Sequence, residues 1–110
     1  MSKKDKRVYP RIDIKEKLKF GEDTPIHDGY SRNLSPDGMS ISAEKGLPTN
    51  SNITIKINRA TGDPIDVEGK VIWVSNPPGM HTLMGVKFTN SSEELLRLYL
   101  QTNSVFKIPL

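Results

Sequence analysis

The chain has 110 residues, a sequence pI near 9.2, a formal net charge of +3 and no cysteine. That length fits one domain, and the lack of cysteine excludes disulfides, thiolate metal sites and cysteine catalysis. No apolar run reaches the roughly 18 residues of a membrane span, and Lys3, Lys4 and Lys6 are followed by no apolar stretch of a signal peptide, so a cytoplasmic location is expected.

The charge is uneven. Residues 1–20 hold eight Lys/Arg against three Asp/Glu, a local +5, so the remaining 90 residues carry −2 of the total of +3. An anion should meet the N-terminal segment first. A diffuse nucleic-acid binder would be basic throughout.

Residues 1–11 are expected to form a flexible basic N-terminal arm. Its lysines, Asp5 and Pro10, which pushes Tyr9 towards extended geometry, argue against a helix. Strand patterns follow within residues 12–110. Ile14, Leu18 and Phe20 share one parity before Gly21. Ile26, Tyr30 and Leu34 are assigned to one apolar face, with Ser31, Asn33 and Ser35 on the other. Met39, Ile41 and Ala43 alternate with serines. Ile53, Ile55 and Ile57, alternating with Thr54 and Lys56, form the clearest strand.

A turn at Thr61-Gly62-Asp63-Pro64 leads to Ile65, Val67, Val71 and Trp73, one parity carried through a bend or bulge expected at Gly69. Trp73 is therefore assigned to the core. Asn76-Pro77-Pro78-Gly79 is a second turn, and Met84, Val86 and Phe88 form a last strand. Six short strands with one apolar face each suit a small antiparallel barrel, which removes exposed edges by closing. Ser91 with Glu94 is a capping-box pattern. It opens a helix expected over about 92–103, with Leu95, Leu98 and Tyr99 on one face, widened by Leu96 and Leu100. Val105, Phe106 and Ile108 form an apolar tail that closes a barrel mouth or meets a partner.

Two motifs carry the chemistry. Arg7-Val8-Tyr9-Pro10-Arg11 is an R-x-x-x-R, and Asn33-Leu34-Ser35-Pro36-Asp37-Gly38 is an N-x-S-x-x-G. A guanidinium stays charged and offers a rigid donor fork to phosphate or to the O6/N7 edge of guanine. In an extended segment the two forks lie roughly 13 Å apart, and Pro10 stiffens the chain between them. Asn33 can accept from a guanine N–H, and Ser35 adds a hydroxyl. Pro36-Asp37-Gly38 signals a turn, with Gly38 free to take positive φ. Alone, the first motif reads as solvated charge and the second as a hairpin turn. Their order, spacing and β-rich frame favour one ligand site.

Together the motifs resemble the signature of PilZ domains, bacterial receptors for cyclic di-GMP. The resemblance extends to the strand pattern, a Gly85-Val86-Lys87-Phe88 ending and the C-terminal helix. It implies a mostly β fold: a small six-stranded antiparallel, split-type barrel with a C-terminal α-helix. It further implies that Arg7 and Arg11 hold guanine edges and phosphates, and that Asn33, Ser35 and Gly38 form the surface site. Many relatives carry another arginine just before the first motif. Lys6 stands there, a point charge rather than a fork, which leaves one bound ligand or a stacked pair open.

Secondary candidates are Lys6, Tyr9, Arg32 and Lys87. His27 and His81 are poor metal ligands without cysteines or clustered carboxylates. No metal, cofactor or enzymatic motif is expected. The reading is a signalling receptor whose arm orders over cyclic di-GMP and alters contact with an unidentified downstream protein. The alternatives are a PilZ-like adaptor working by protein contact alone and, less favoured, a small barrel binding nucleic acid through exposed aromatics.

Overall fold

In the computed structural model, residues 12–59, 62–90 and 93–107 are described. The arm carrying Lys6, Arg7, Tyr9 and Arg11, the Ser91 of the capping pattern, and Ile108 lie outside them. The elements are β1 (Ile12–Asp13), β2 (Lys17–Gly21), β3 (His27–Ser35), β4 (Gly38–Ala43), β5 (Asn52–Ile57), β6 (Ile65–Ser75), β7 (Thr82–Phe88) and α1 (Glu93–Lys107). The sheet runs β1-β3-β2-β5-β6-β7-β4, and β4 pairs back onto β3. Six antiparallel strands thus close into a barrel, and β1 is an extra two-residue strand on the same edge of β3 as β2.

Strict alternation builds the core. Leu18 and Phe20 of β2, Met39 and Ile41 of β4, Ile53, Ile55 and Ile57 of β5, and Met84 and Val86 of β7 are all buried inward. The helix packs against β6, and its Leu95 and Tyr99 join the same core. Glu93 and Glu94 in its first turn complement the positive end of the helix dipole. It runs on to Lys107, so Val105 and Phe106 belong to the helix rather than to a separate tail.

Two β-bulges break the alternation. On β3 the register against β4 slips between Ser31 and Asn33, leaving Arg32 as the extra residue. On β6 it slips against β7 between Val71 and Trp73, leaving Ile72 as the extra residue. Since one extra residue flips every later side chain, Tyr30 and Trp73 face outward, each 43% exposed, while Leu34 and Val71 stay inside. Ser31 is buried, and Ile26, before β3, is 64% exposed. These positions correct the assignment of Ile26, Tyr30 and Trp73 to the apolar face.

The expected bulge at Gly69 is also corrected, because its pairing with Ile53 and Phe88 is in register. Gly69 is instead a point of close approach. A Cβ there would lie 2.5 Å from the Lys87 carbonyl oxygen and 2.8 Å from Val86 Cγ1. Gly69→Ala should therefore cost about 1–3 kcal/mol of unfolding free energy, read as a lower denaturant midpoint.

On the outer face Asp28, Lys19, Lys56 and Asp66 form one cross-strand row. Lys19 and Lys56 stand opposite each other, and each pairs outward, with Asp28 at 2.7 Å and Asp66 at 3.1 Å. The hydrogen bond from Lys19, then its charge, holds the Asp28 carboxyl below its ordinary value of 3.8. Its ionic contact is thus present at neutral pH and is lost as pH falls through the depressed value. An NMR titration should place the Asp28 midpoint below 3.8, and Lys19→Met should move it upward.

Candidate functional site

The second motif spans the β3–β4 hairpin. Ser35 and Gly38 are paired, with Pro36 and Asp37 as the two-residue connection. Ser35 is fully buried, and its hydroxyl donates to Asp37 Oδ1 at 2.5 Å. That bond, together with the Phe88 N–H donating to the Asp37 carbonyl at 3.0 Å, fastens the turn to the end of β7. Gly38 opens β4 without positive φ. Among the described residues, positive φ occurs at Asn50, Gly62 and Gly79. The hydroxyl expected on the outer face is therefore turned into the hairpin.

Two cross-strand rows run outward from this hairpin. The first is Asp13–Asn33–Ser40–Gly85–Trp73, one residue from each of β1, β3, β4, β7 and β6. It lies on the outer face because Leu34, Met39, Val86 and Val71, beside it, point into the core. Glycine at position 85 leaves room for the indole. A Cβ there would fall 2.0 Å from Trp73 Nε1. Trp73 therefore lies across β7, in the same row as Asn33.

The second row is Ser35–Gly38–Lys87–Lys70. Lys87 and Lys70 are directly opposed and exposed, and among the described residues neither has an ion-pair partner. Like charges so placed are destabilising by a few tenths of a kcal/mol, roughly 0.2–1. The Lys19–Lys56 pair is neutralised by flanking carboxylates. The pair beside the motif is not, so an anion bound there would relieve the repulsion.

On the other side of Asn33 the same outer face holds a cleft of about 560 Å³, lined among others by Asp13, Lys15, Tyr30, Arg32, Asn33, Ser42 and His81. The volume lies within the roughly 300–1,000 Å³ of small-molecule sites. Lys15 Nζ sits 5.3 Å from the Tyr30 ring centroid, a cation–π contact that holds the ring at the cleft wall. A further groove of about 540 Å³ continues past Arg32 and His81 to Met80 and Leu83. The β6–β7 connection that places His81 and Met80 is pinned by the Thr82 hydroxyl, which donates to Asn76 Oδ1 at 2.7 Å.

The structure therefore brings together Asn33, Arg32, Lys87 and the Ser35–Gly38 hairpin. Arg7, Arg11, Lys6 and Tyr9 lie outside the described residues, although Arg11 is covalently joined to Ile12, which pairs with Leu34 of the motif. Alternation missed Trp73, Tyr30 and Lys70. The sequence signal for Trp73 was Gly85, a small residue in an apolar strand opposite a bulky one. Among the described residues no cluster of metal-ligating side chains occurs, and no helix is long and apolar enough to cross a membrane.

A closed six-stranded barrel with a hairpin motif on its outer face and a C-terminal helix defines a class, and comparison with known proteins gives it a name. The PilZ domain family model matches residues 5–102, so the chain belongs to the PilZ domain family. No curated protein matches the sequence. Among solved structures, the inhibitor of motility MotI/DgrA of Bacillus subtilis superposes with a TM-score of 0.75 at 18% identity, over 94% of this chain and 54% of that one. The chain thus spans about half the length of that protein. The PilZ domain of YcgR from Escherichia coli, solved with c-di-GMP, gives 0.69 at 16% identity, over 94% and 92% of the two chains. The PilZ domain of CeSA from a cellulose-synthesizing bacterium gives 0.62 at 14% identity, over 90% and 99%.

Trp73 is the single tryptophan of the chain, so its emission reports this site alone. Gly85→Ala should displace the indole towards water and shift the emission maximum to longer wavelength. An unchanged spectrum would show that Trp73 does not lie across β7.

Proposed function

We propose that this domain is a non-enzymatic receptor for cyclic di-GMP, bound on the outer face of the barrel beside the β3–β4 hairpin. The observation that carries the proposal is the outer-face row in which Asn33 and Trp73 are co-presented, next to the Lys87–Lys70 pair, which has no ion-pair partner among the described residues. Membership of the PilZ family and the likeness to a YcgR domain solved with c-di-GMP support it.

Each group has a role the ligand's chemistry requires. Arg7 and Arg11, delivered from the chain preceding Ile12, supply forks for guanine edges and phosphates. Asn33 accepts from a guanine N–H. Trp73, and Tyr30 across the cleft, offer faces for bases, each contact of this kind being worth about 1–3 kcal/mol. Lys87 and Arg32 meet phosphate charge, and Lys6 and Tyr9 are secondary contacts from the arm. Ser35 and Gly38 act by shaping the hairpin, given the buried hydroxyl and the extended glycine. Ligand-driven ordering of the arm changes the surface offered to a downstream protein.

Calorimetric titration with cyclic di-GMP, beside GTP and cyclic di-AMP, tests the reading. Selective, saturable binding is expected. Arg11→Ala and Asn33→Ala should each weaken it by about 1–3 kcal/mol, roughly 5- to 150-fold. Absence of binding into the high micromolar range would leave an adaptor working by protein contact. Binding of single-stranded nucleic acid that weakens steeply with salt would instead favour the polymer reading.

A further inference from the structure

The mid-point of β3 contains a buried side chain that the ligand reading leaves unused. β1 and β2 follow the same edge of β3, but their registers do not match. Asp13 pairs with Asn33 and Lys17 with Tyr30, so three residues of the N-terminal strand (14–16) face only two of β3. Directly across β3, the register against β4 slips at Arg32. Two irregularities thus sit back to back, at the place where the N-terminal chain meets the motif strand.

Ser31 closes this gap. It is 2% exposed. Its hydroxyl donates to the Ile14 carbonyl at 2.5 Å and accepts from the Glu16 N–H at 2.8 Å. Two backbone bonds flank it: the Ser31 N–H donates to the Glu16 carbonyl at 2.9 Å, and the Ile14 N–H to the Arg32 carbonyl at 3.3 Å. The side chain therefore supplies to the mismatched strand a donor and an acceptor that the ladder cannot. An alanine would leave the part-buried Glu16 N–H and the buried Ile14 carbonyl without that partner.

We infer that Ser31 is a positioning residue for the dinucleotide site. Its hydroxyl fixes the register of Ile12–Asp13 on Leu34–Asn33, and so fixes where the chain bearing Arg11 joins the barrel relative to Asn33. Arg11 precedes Ile12 by one peptide bond, and Asp13 pairs with Asn33 itself. A slip of one residue there would reverse the faces of Ile12 and Asp13 and move the root of the arginine segment by about 3.3 Å. A bidentate contact does not tolerate such a displacement. The inference rests on the cyclic di-GMP reading, and it predicts coupling between two positions that share no ligand contact.

The test is a double-mutant cycle on cyclic di-GMP affinity, using Ser31→Ala with Arg11→Ala and, separately, with Asn33→Ala. Ser31→Ala is expected to weaken binding about tenfold, comparable to the loss of a hydrogen bond that leaves buried groups unpaired. The Arg11→Ala effect should be clearly smaller in the Ser31→Ala background than in the wild type, while the Asn33→Ala effect is unchanged. Ser31→Thr, which keeps the hydroxyl, should restore affinity and coupling. If Ser31→Ala does not fold, Ser31→Cys, nearly isosteric with a weak hydrogen-bonding group, replaces it in the cycle. Hydrogen exchange of the unliganded proteins provides a second readout. The Ile14 and Glu16 amides should exchange faster in the variant, with those of β5 unchanged. Strict additivity with Arg11, or unchanged exchange at Glu16, overturns the positioning role while the receptor reading stands. Failure of the wild type to bind cyclic di-GMP overturns the receptor reading and this inference together, and is read from the first titration alone.

Discussion

Barrel closure is the constraint on which the remainder depends. Six strands must curl far enough for β4 to pair with β3, and a strand in perfect alternation resists that curvature. The bulges at Arg32 and Ile72 provide local bending and added twist. They also set the surface. Each flips the later part of its strand by one face, so the apolar contacts of Leu34 and Val71 are kept while Tyr30 and Trp73 turn outward. The geometric requirement of closing the core is thus the same feature that creates an aromatic and polar outer face.

The hairpin at Pro36-Asp37 is rigid for a related reason. Ser35 spends its hydroxyl on Asp37, whose carbonyl accepts from Phe88, so the turn is tied to itself and to the neighbouring strand. A site built on a braced turn and on strands that cannot shift register loses little conformational entropy on binding. The arginine pair of the first motif precedes Ile12, the first residue of β1, which is itself paired with Leu34 of the hairpin strand.

How far the site could be read from sequence follows from these devices. Strands with unbroken alternation, β4, β5 and β7, were legible residue by residue, because a period of two is enforced by the core. The β3–β4 hairpin at Pro36-Asp37 was legible from its turn chemistry. The faces of Tyr30 and Trp73 were not, since a bulge is invisible to a parity count. It is specified by curvature and by neighbours such as Gly85, distant in sequence. Gly69 shows the converse: glycine suggested a bulge, whereas close backbone approach of β7 is what requires it. Ser31 looked like an outward polar residue because its partners, Ile14 and Glu16, belong to a strand whose offset only the pairing reveals.

Charge placement gives the last step. Formal net charge alone, +3, would attract any polyanion weakly. The distribution is more selective. Across β2 and β5 the opposed Lys19 and Lys56 are matched by Asp28 and Asp66. Beside the motif, Lys87 and Lys70 face each other without such partners among the described residues, and Arg32 stands at the bulge next to Asn33. Among the described residues, like-charge repulsion is thus neutralised at the Lys19–Lys56 pair and left standing at the Lys87–Lys70 pair beside the motif. For the proposed cyclic di-GMP receptor, that arrangement suits a compact dianion better than an extended polymer, which would need a continuous unneutralised track along the barrel.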